Sequence, residues 1–264
     1  MEATPFAVFV DDPDHAGFVA DFDGSLAPIV EDPARSVPLP AARRALEALT
    51  GLVARVAVIS GRPVDFLQGA LGLPGIEYVG LYGMQRVVDG MVVAHPDAAA
   101  FVSRVADALA AARRELPGPL VEPKANLAFT LHYRTAPDRA GEVEMLARRL
   151  AREYGLLAMP GRLAIELRPP VDVDKGRALL DVTDGLRAVA FAGDDHGDLA
   201  AFDALDRMAG FPDVQQVVRI AVQSEESPAE LMRRADVVVD GPVGLAGLLE
   251  QLAGAISLRR RPAP

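Results

Sequence analysis

The sequence predicts an α/β protein in which a parallel-sheet core is interrupted by a smaller α+β layer. Short apolar runs rich in β-branched residues alternate with amphipathic helical segments, which is typical of buried parallel strands and their crossover helices. Between them lies a segment that runs helix–strand–strand twice, a pattern typical of an α+β layer. We therefore expect a core formed by residues 1–95 and 170–264 and an insert formed by residues 96–169.

We expect core strands at continuous apolar runs and core helices where apolar residues recur at helical spacing. The expected strands are residues 17–22, 53–59, 76–81, 188–192, 217–222 and 237–239. The expected helices are residues 40–52, 64–71, 175–186, 199–208, 228–234 and 244–258, with Asp174 as N-cap of the third. Residues 86–94 predict a hairpin that turns at Asp89–Gly90, since this dipeptide favours tight turns. Residues 6–10 suit either a helix or a short strand.

The insert has its own helical and extended periodicities. Its expected elements are a helix at 97–116, strands at 120–121 and 128–132, a helix at 138–154, and strands at 156–159 and 163–167. Each helix can cover one face of the strands that follow it, so the insert can form a separate small layer.

Composition excludes several classes of site and partner. The 264 residues contain no Cys, which excludes disulfides, thiolate metal sites and cysteine nucleophiles. The net charge of −10 disfavours nucleic acid and anionic membranes, so a phosphate-bearing ligand needs local positive charge or a metal. We find no signal-peptide pattern at the acidic N-terminus and no apolar run of about 20 residues. We expect a soluble, cytoplasmic protein.

Two carboxylates follow the first predicted strand. Asp21 and Asp23 are two residues apart, and Gly24 and Ser25 come next. Ligands of open α/β sheets bind at the carboxyl ends of the strands, and two neighbouring buried anions require a compensating cation. The pair therefore indicates a divalent metal and an anionic substrate. A simple Asx-type turn after the strand is the alternative.

Three further stretches can converge on the same edge of the sheet. Ser60 ends the second predicted strand, Asp194 and Asp195 end a later one, and Lys175 follows Asp174 at a helix N-terminus, which favours an anion. Taken singly, Ser60 suits a turn and Lys175 suits a solvated surface. Asp194 and Asp195 suit a loop or an N-cap. Their joint occurrence at strand ends favours a phosphate site with Mg²⁺.

These four stretches resemble the four motifs of the haloacid dehalogenase-like phosphotransferase superfamily. The motifs are DFDGS at 21–25, ISGR at 59–62, DKG at 174–176 and GDDHGD at 193–198. Four further stretches resemble landmarks of trehalose-6-phosphate phosphatases, namely GLYG at 80–83, VEPK at 121–124, LHYR at 131–134 and IELRP at 165–169. The resemblance implies a Rossmann-like (haloacid dehalogenase-like) parallel-sheet core and makes the insert an α+β cap domain that reads the sugar.

The resemblance also implies the chemistry. Asp21 would attack phosphorus and form an aspartyl-phosphate. Asp23 would protonate the leaving sugar oxygen and then deprotonate the hydrolytic water. Ser60 and Lys175 would bind the phosphoryl oxygens.

Ligand contacts follow from the same resemblance. The metal is expected at Asp21, the backbone carbonyl of Asp23 and Asp194, with Asp195 and Asp198 nearby or in a second layer around these ligands. The expected substrate-binding residues are Gly24, Gly61, Arg62, Tyr82, Gln85, Lys124, His132, Glu166 and Arg168. For His132 ordinary strand packing is an alternative. Glu166 is expected on an alternating strand face that is exposed to the cleft.

Several positions depart from the family pattern. Ser25 replaces a threonine, Tyr82 and Gln85 replace the His and Glu of G-x-H-G-x-E, Leu199 and Ala200 replace an acidic pair, and one extra residue stands between Lys124 and His132. These departures bear on the substrate more than on the chemistry. Trehalose 6-phosphate is the first expectation. A related phosphorylated disaccharide or pseudo-disaccharide, or a non-catalytic sugar-phosphate-binding regulator, is the alternative. We expect a monomer or weak dimer.

Overall fold

The computed structural model describes residues 5–30, 32–116, 120–161, 163–225 and 227–260. The chain divides into two compact units. The first comprises Met1–Gly83 and Val173–Pro264, and the second comprises Met84–Asp172. The second unit begins earlier than the expected insert because the predicted hairpin belongs to it. The division of labour between a catalytic core and a cap stays a prediction.

The helices and strands follow the predicted order along the described residues. The strands are β1 (Ala16–Ala20), β2 (Arg55–Ile59), β3 (Ile76–Gly80), β4 (Gln85–Val88), β5 (Met91–Ala94), β6 (Val121–Lys124), β7 (Ala128–His132), β8 (Leu157–Gly161), β9 (Ala164–Arg168), β10 (Ala188–Gly193), β11 (Gln216–Gln223) and β12 (Val237–Asp240). The α-helices are α1 (Ala7–Asp11), α2 (Pro40–Thr50), α3 (Val64–Leu71), α4 (Pro96–Ala99), α5 (Val102–Glu115), α6 (Ala140–Tyr154), α7 (Lys175–Val182), α8 (Leu199–Met208), α9 (Ala229–Arg234) and α10 (Gly241–Arg260).

The first unit is built on a parallel sheet in the order β12-β11-β10-β1-β2-β3. Strands β1 and β10 lie side by side at its centre, and every residue of both is buried. Continuous apolar sequence in these strands fits burial on both faces. The chain order reverses between β1 and β10, and ligands of open α/β sheets bind at such a switch point.

Helices cover the core sheet with apolar stripes. Helices α7 and α8 pack with β10 in one buried cluster, in which Phe191 meets Phe202 edge-to-face at 6.4 Å. Helix α10 packs against α2 and α1. The predicted helix over 175–186 ends at Val182, and Thr183 Oγ1 donates to the Leu179 carbonyl at 2.6 Å.

Helix α10 is more apolar than expected from the sequence. By length and composition it could cross a membrane, with 20 residues and a mean hydropathy of 1.2 in its most apolar window. A third of that window is buried, with Leu245, Leu249, Leu252 and Ile256 in the core. The core helix of a folded domain passes the same test, so this is weak evidence for a membrane span.

The second unit contains the β4–β5 hairpin and an antiparallel sheet, here called the small sheet, in the order β6-β7-β9-β8. The hairpin turns at Asp89 and Gly90, which both have positive φ, as predicted. Both edge strands of the small sheet contain a proline, Pro123 in β6 and Pro160 in β8, as edge positions allow.

The small sheet has one apolar and one polar face. Its apolar side chains, such as Phe129, Leu131 and Leu167, pack with buried residues of α5 and α6. Because side chains alternate along a strand, the intervening residues lie on the opposite face. This polar face carries Glu122, Lys124, Thr130, His132, Glu166 and Arg168.

One helix of the second unit differs from expectation: the helix expected over 97–116 is divided into α4 and α5. The chain between Lys124 and Ala128 forms the β6–β7 turn, in which Ala125 and Asn126 adopt positive φ and Leu127 N donates to the Lys124 carbonyl at 3.0 Å.

Candidate active site

The two central strands of the core bring acidic residues together at one edge of the sheet. Ala20 of β1 is in register with Ala192 of β10, and Asp21 N donates to the Ala192 carbonyl at 2.9 Å. Asp21 therefore continues the pairing one step beyond β1. Asp194 follows directly after β10, so the two aspartates leave the sheet next to each other.

Asp21, Asp194 and Asp198 form a buried acidic cluster. One carboxylate oxygen from each lies within 4.8 Å of the others. Lys175 is only 3 % exposed, and its Nζ lies 2.9 Å from Asp21 Oδ1 and 2.6 Å from Asp198 Oδ1. The alternative that Lys175 is a solvated surface residue is therefore wrong. Three carboxylates share one buried ammonium.

This imbalance raises the carboxyl pKa values. Burial, and after it the neighbouring carboxylates, raise the pKa of Asp21 well above its usual value despite the opposing effect of Lys175. Burial and the charges of Asp198 and Asp195 raise the pKa of Asp194 to about 8. Burial also raises the pKa of Asp198. Burial alone would lower the pKa of Lys175, but Asp198 and Asp21 raise it well above the usual value. The cluster favours added positive charge.

The donor set fits a divalent cation with oxygen ligands. Both carboxylate oxygens of Asp198 already accept hydrogen bonds from the protein. Oδ1 accepts from Lys175, and Oδ2 accepts from the backbone N–H groups of Asp194 and Asp195 at 2.9 and 3.1 Å. Asp21 and Asp194 are thus the better candidates for direct ligands, whereas Asp198 holds Lys175 and the backbone at Asp194. A buried group of carboxylate oxygens with too little positive charge suits a hard divalent cation.

Asp195 has a structural role beside this cluster. It is the N-cap of a short 3-10 helix, where Oδ1 accepts from Gly197 N at 2.8 Å, and Asp198 completes a capping box. The N-cap interpretation of Asp195 therefore holds, and its carboxylate is outside the acidic cluster.

Gly24 is required by the close approach of the cluster. Its φ is +84°, and a Cβ at this position would lie 2.0 Å from Asp194 Oδ2. No other residue type fits such a conformation and contact without displacing the carboxylate. The next residue, Ser25, is buried and its Oγ donates to Asp194 Oδ1 at 3.3 Å, so the first motif also positions Asp194.

Asp23 points to a different set of partners. Arg62 holds it in a two-point contact, with Nε 2.7 Å from Oδ2 and Nη2 2.9 Å from Oδ1. Ser36 Oγ also donates to Oδ1 at 2.8 Å. The Arg62 guanidinium lies over the Phe66 ring at 4.5 Å, and Phe66 meets Phe22 edge-to-face. Asp23 is therefore oriented by a guanidinium that is itself held in place.

Ser60 and its neighbours form a tight turn after β2. Ser60 is buried, its Oγ accepts from Arg62 N at 3.2 Å, and its carbonyl accepts from Tyr82 N at 3.0 Å. Tyr82 adopts positive φ and crosses Gly61 so closely that a Cβ on Gly61 would lie 2.5 Å from the Tyr82 hydroxyl oxygen. Tyr82 is thus fixed against the second motif.

The remaining predicted site residues belong to the second unit. Lys124 Nζ donates to Glu166 Oε2 at 2.5 Å, and His132 Nε2 lies 2.7 Å from Glu122 Oε2. Glu166 is buried and pairs with Lys124, whereas the sequence suggested a face exposed to the cleft. Together with Arg168 these residues share the polar face of the small sheet, whereas Gln85 is buried on the hairpin.

Some contributors were not predicted from the sequence. Ser36 lies in a proline-rich loop without a regular hydrophobic pattern, and Phe66 has no feature in the sequence that distinguishes it from other residues of a helix. The only available signal is indirect: Phe66 is four residues after Arg62, and Ser36 is the hydroxyl residue nearest the end of that loop.

Known proteins with similar sequences belong to the family that these motifs resemble. The Trehalose-phosphatase family profile matches residues 19–237. The chain is 38 % identical to the trehalose-phosphate phosphatase of Mycobacterium bovis (strain BCG / Pasteur 1173P2) over 247 residues, and 37 % identical to that of Mycobacterium avium (strain 104) over 253 residues. These alignments cover 88 and 90 % of this chain but 60 and 62 % of those proteins.

Solved structures share the fold. A trehalose-6-phosphate phosphatase related protein aligns with a TM-score of 0.77 and 23 % identity over 93 % of this chain and all of that one. The C-terminal domain of Candida albicans trehalose-6-phosphate phosphatase aligns with a TM-score of 0.73 and 23 % identity, over 96 and 98 % of the two chains. The fold is the Rossmann-like haloacid dehalogenase-like fold, and the family profile covers most of the chain. The chain belongs to the trehalose-phosphatase family.

Proposed function

We propose that this chain is an Mg²⁺-dependent phosphatase that hydrolyses trehalose 6-phosphate to trehalose and phosphate through an aspartyl-phosphate. The observation that carries the proposal is the buried cluster of Asp21, Asp194 and Asp198 around Lys175. Burying three carboxylates against one ammonium is costly for a fold and useful for phosphoryl transfer, which relies on electrostatic stabilisation. The chain spans about 60 % of the length of its curated relatives, so their activity is a proposal for it.

The first chemical step uses Asp21 as nucleophile. A carboxylate oxygen attacks phosphorus, the bond between phosphorus and the sugar oxygen breaks, and Asp23 gives its proton to that oxygen. Lys175 holds Asp21 Oδ1 in place, and with Ser60 it binds the phosphoryl oxygens. Bound Mg²⁺ would be held by Asp21, Asp194 and the backbone carbonyl of Asp23, and would offset the negative charge of the phosphoryl group.

The second step releases phosphate. Asp23, now a carboxylate, takes a proton from the water that attacks the aspartyl-phosphate, and Asp21 is regenerated. Arg62 and Ser36 keep the Asp23 carboxylate in one orientation during both transfers. Gly24 and Gly61 allow the backbone to approach the phosphate closely.

Sugar recognition is assigned to the polar face of the small sheet. Lys124, Glu166, His132 and Arg168 offer the charged donors and acceptors that sugar hydroxyls need. Tyr82 and Gln85 supply neutral groups where the family pattern carries His and Glu. This difference favours testing a related phosphorylated disaccharide or pseudo-disaccharide beside trehalose 6-phosphate.

A catalytically silent regulator is the second candidate. The C-terminal domain of a Candida albicans trehalose synthase regulatory protein has the same fold, with a TM-score of 0.63 and 13 % identity, so the fold alone does not decide. The retention of Asp21, Asp23, Ser60, Lys175 and Asp194 in one sequence speaks for catalysis.

Phosphate release from a panel of sugar phosphates tests the proposal. The purified chain with Mg²⁺ is expected to release phosphate from trehalose 6-phosphate faster than from glucose 6-phosphate, sucrose 6-phosphate or p-nitrophenyl phosphate. Asp21→Asn is expected to abolish release, whereas Asp65→Asn, on the exposed first turn of α3, serves as the matched control. Release from another member alone would refute the substrate, and no release at all would refute the enzyme.

We also propose that the protein is cytoplasmic and a monomer or weak dimer that binds neither nucleic acid nor membranes. The net charge of −10 and the burial of the apolar side of α10 support this. Sedimentation with and without anionic vesicles tests it, and co-sedimentation would contradict it.

A further inference from the structure

Thr130 stands at the centre of the polar face of the small sheet. In the strand register Thr130 of β7 pairs with Glu122 of β6 on one side and with Glu166 of β9 on the other. These three side chains form one row across the sheet. The neighbouring positions Phe129 and Leu131 point to the opposite face and are buried against the helices.

The Thr130 hydroxyl has no hydrogen-bond partner in the part of the chain that the structure describes. Thr130 is only 5 % exposed, and Oγ1 is buried without a donor or acceptor among the described residues. Buried polar side-chain atoms are nearly always paired, so each exception requires an explanation. The adjacent acids do not supply a partner: Glu166 Oε2 accepts from Lys124, and Glu122 Oε2 is in contact with His132.

A hydroxyl flanked by two carboxylates suits a polyol. The hydroxyl both donates and accepts, and a sugar hydroxyl does the same, so one ligand hydroxyl can complete Thr130 while its neighbours bond to the adjacent carboxylates. Spacing also fits, since side chains directly opposite in adjacent strands stand about 5 Å apart, close to the separation of hydroxyls across a sugar ring.

We propose that Thr130 is a specificity-determining residue that hydrogen-bonds a hydroxyl of the sugar part of the substrate. The proposal rests on the proposed function, because it assigns the sugar to the polar face of the small sheet. It goes beyond that function because it names Thr130 as the residue that favours ligands whose own hydroxyl lies against the centre of this face.

Thr130→Val tests the proposal, because it removes the hydroxyl and keeps the branched shape. We expect kcat/KM for trehalose 6-phosphate, divided by kcat/KM for the sugar-free p-nitrophenyl phosphate, to fall about tenfold, mainly through KM. The melting temperature is expected to stay equal or to rise, because an unpartnered hydroxyl is removed. A hydroxyl with a purely structural role would instead lower the melting temperature and affect both substrates alike.

Two further variants sharpen the result. Thr130→Ser keeps the hydroxyl and is expected to retain most of the preference for the sugar substrate. Thr135→Val makes the same chemical change at an exposed position of the same unit and is expected to change nothing. An unchanged substrate ratio in Thr130→Val, or an equal loss in Thr130→Ser, would overturn the proposal.

The test separates this proposal from the proposed function. If the wild type releases phosphate from another sugar phosphate only, the same ratio is measured with that substrate. If it hydrolyses none, thermal shift with trehalose replaces kinetics. A shift in the wild type that is lost in Thr130→Val then supports the role of Thr130, and the absence of any shift refutes it.

Discussion

Replacing Lys175 with methionine tests whether the acidic cluster is electrostatically balanced by this residue. Methionine keeps much of the length of the side chain and removes the charge. The ammonium lies 2.9 Å from Asp21 Oδ1 and 2.6 Å from Asp198 Oδ1. At an effective dielectric constant of about 20, each contact is attractive by about 6 kcal/mol. Desolvation of the buried ammonium offsets several kcal/mol of this attraction.

The expected net loss is about 3–5 kcal/mol in the free energy of unfolding, which is typical when one partner of a buried ion pair is removed. The loss should depend on pH. Without Lys175, Asp21 and Asp198 are stabilised only by taking up protons, so the folded state binds more protons than the unfolded state. Unfolding free energy then decreases as pH rises, by up to about 1.4 kcal/mol per pH unit for each such proton.

Urea unfolding in EDTA at pH 6 and pH 8 measures both effects. The deficit of Lys175→Met relative to the wild type is expected to be larger at pH 8. Arg177→Met, on the exposed side of the same helix, should stay within about 0.5 kcal/mol of the wild type. A deficit below 1 kcal/mol at pH 8, or one that shrinks as pH rises, would refute the electrostatic account.

Four other perturbations probe the remaining parts of the site and fold. Arg62→Lys keeps the charge but loses the two-point contact with Asp23, so kcat for phosphate release should fall about tenfold without loss of folding; an unchanged kcat in steady-state assays would contradict this. Mg²⁺ should raise the melting temperature in thermal-shift assays, and more at pH 8 than at pH 6, because Asp194, with a pKa near 8, must be ionised to bind it. An equal rise at both pH values would contradict the raised pKa of Asp194. Gly24→Ala would place Cβ against Asp194 and should cost about 2–3 kcal/mol in urea unfolding, whereas a neutral result would mean that the turn adapts freely. Ala125→Gly relieves a positive φ of 49° and should stabilise the protein by about 1 kcal/mol, a gain that disappears if the turn is unstrained.

The elements with strong periodicity could be predicted from the sequence. The helix over 64–71, the helix over 199–208 and the strand over 128–132 have the bounds that their apolar spacing indicates. Helix boundaries that depend on single contacts could not be predicted in this way. The helix expected over 97–116 breaks at residues 100–101 although no Gly or Pro marks the break.

The site was predictable where residues follow strands directly. Asp21, Ser60 and Asp194 lie at the carboxyl ends of adjacent parallel strands, so topology alone brings them to one edge. The contacts of Ser36 and Phe66 could not be predicted. Ser36 reaches Asp23 from a loop without a regular pattern, and helical spacing places Phe66 on α3 but does not show that its ring packs against the Arg62 guanidinium. The exposure of Glu166 was misjudged, since alternation indicates the face of a strand but not the pairing of its side chain.

Both units contain buried polar groups that lack a compensating charge or a hydrogen-bond partner among the described residues. In the first unit three buried carboxylates share one ammonium, and the raised pKa values of Asp21, Asp194 and Asp198 express a shortage of positive charge. In the second unit the Thr130 hydroxyl is buried without a partner in the described part of the chain. A fold selected only for stability would remove both deficits by apolar substitution. The two deficits support the proposed ligands, which differ in chemistry: a cation with a phosphoryl group at the first, and a polyol at the second.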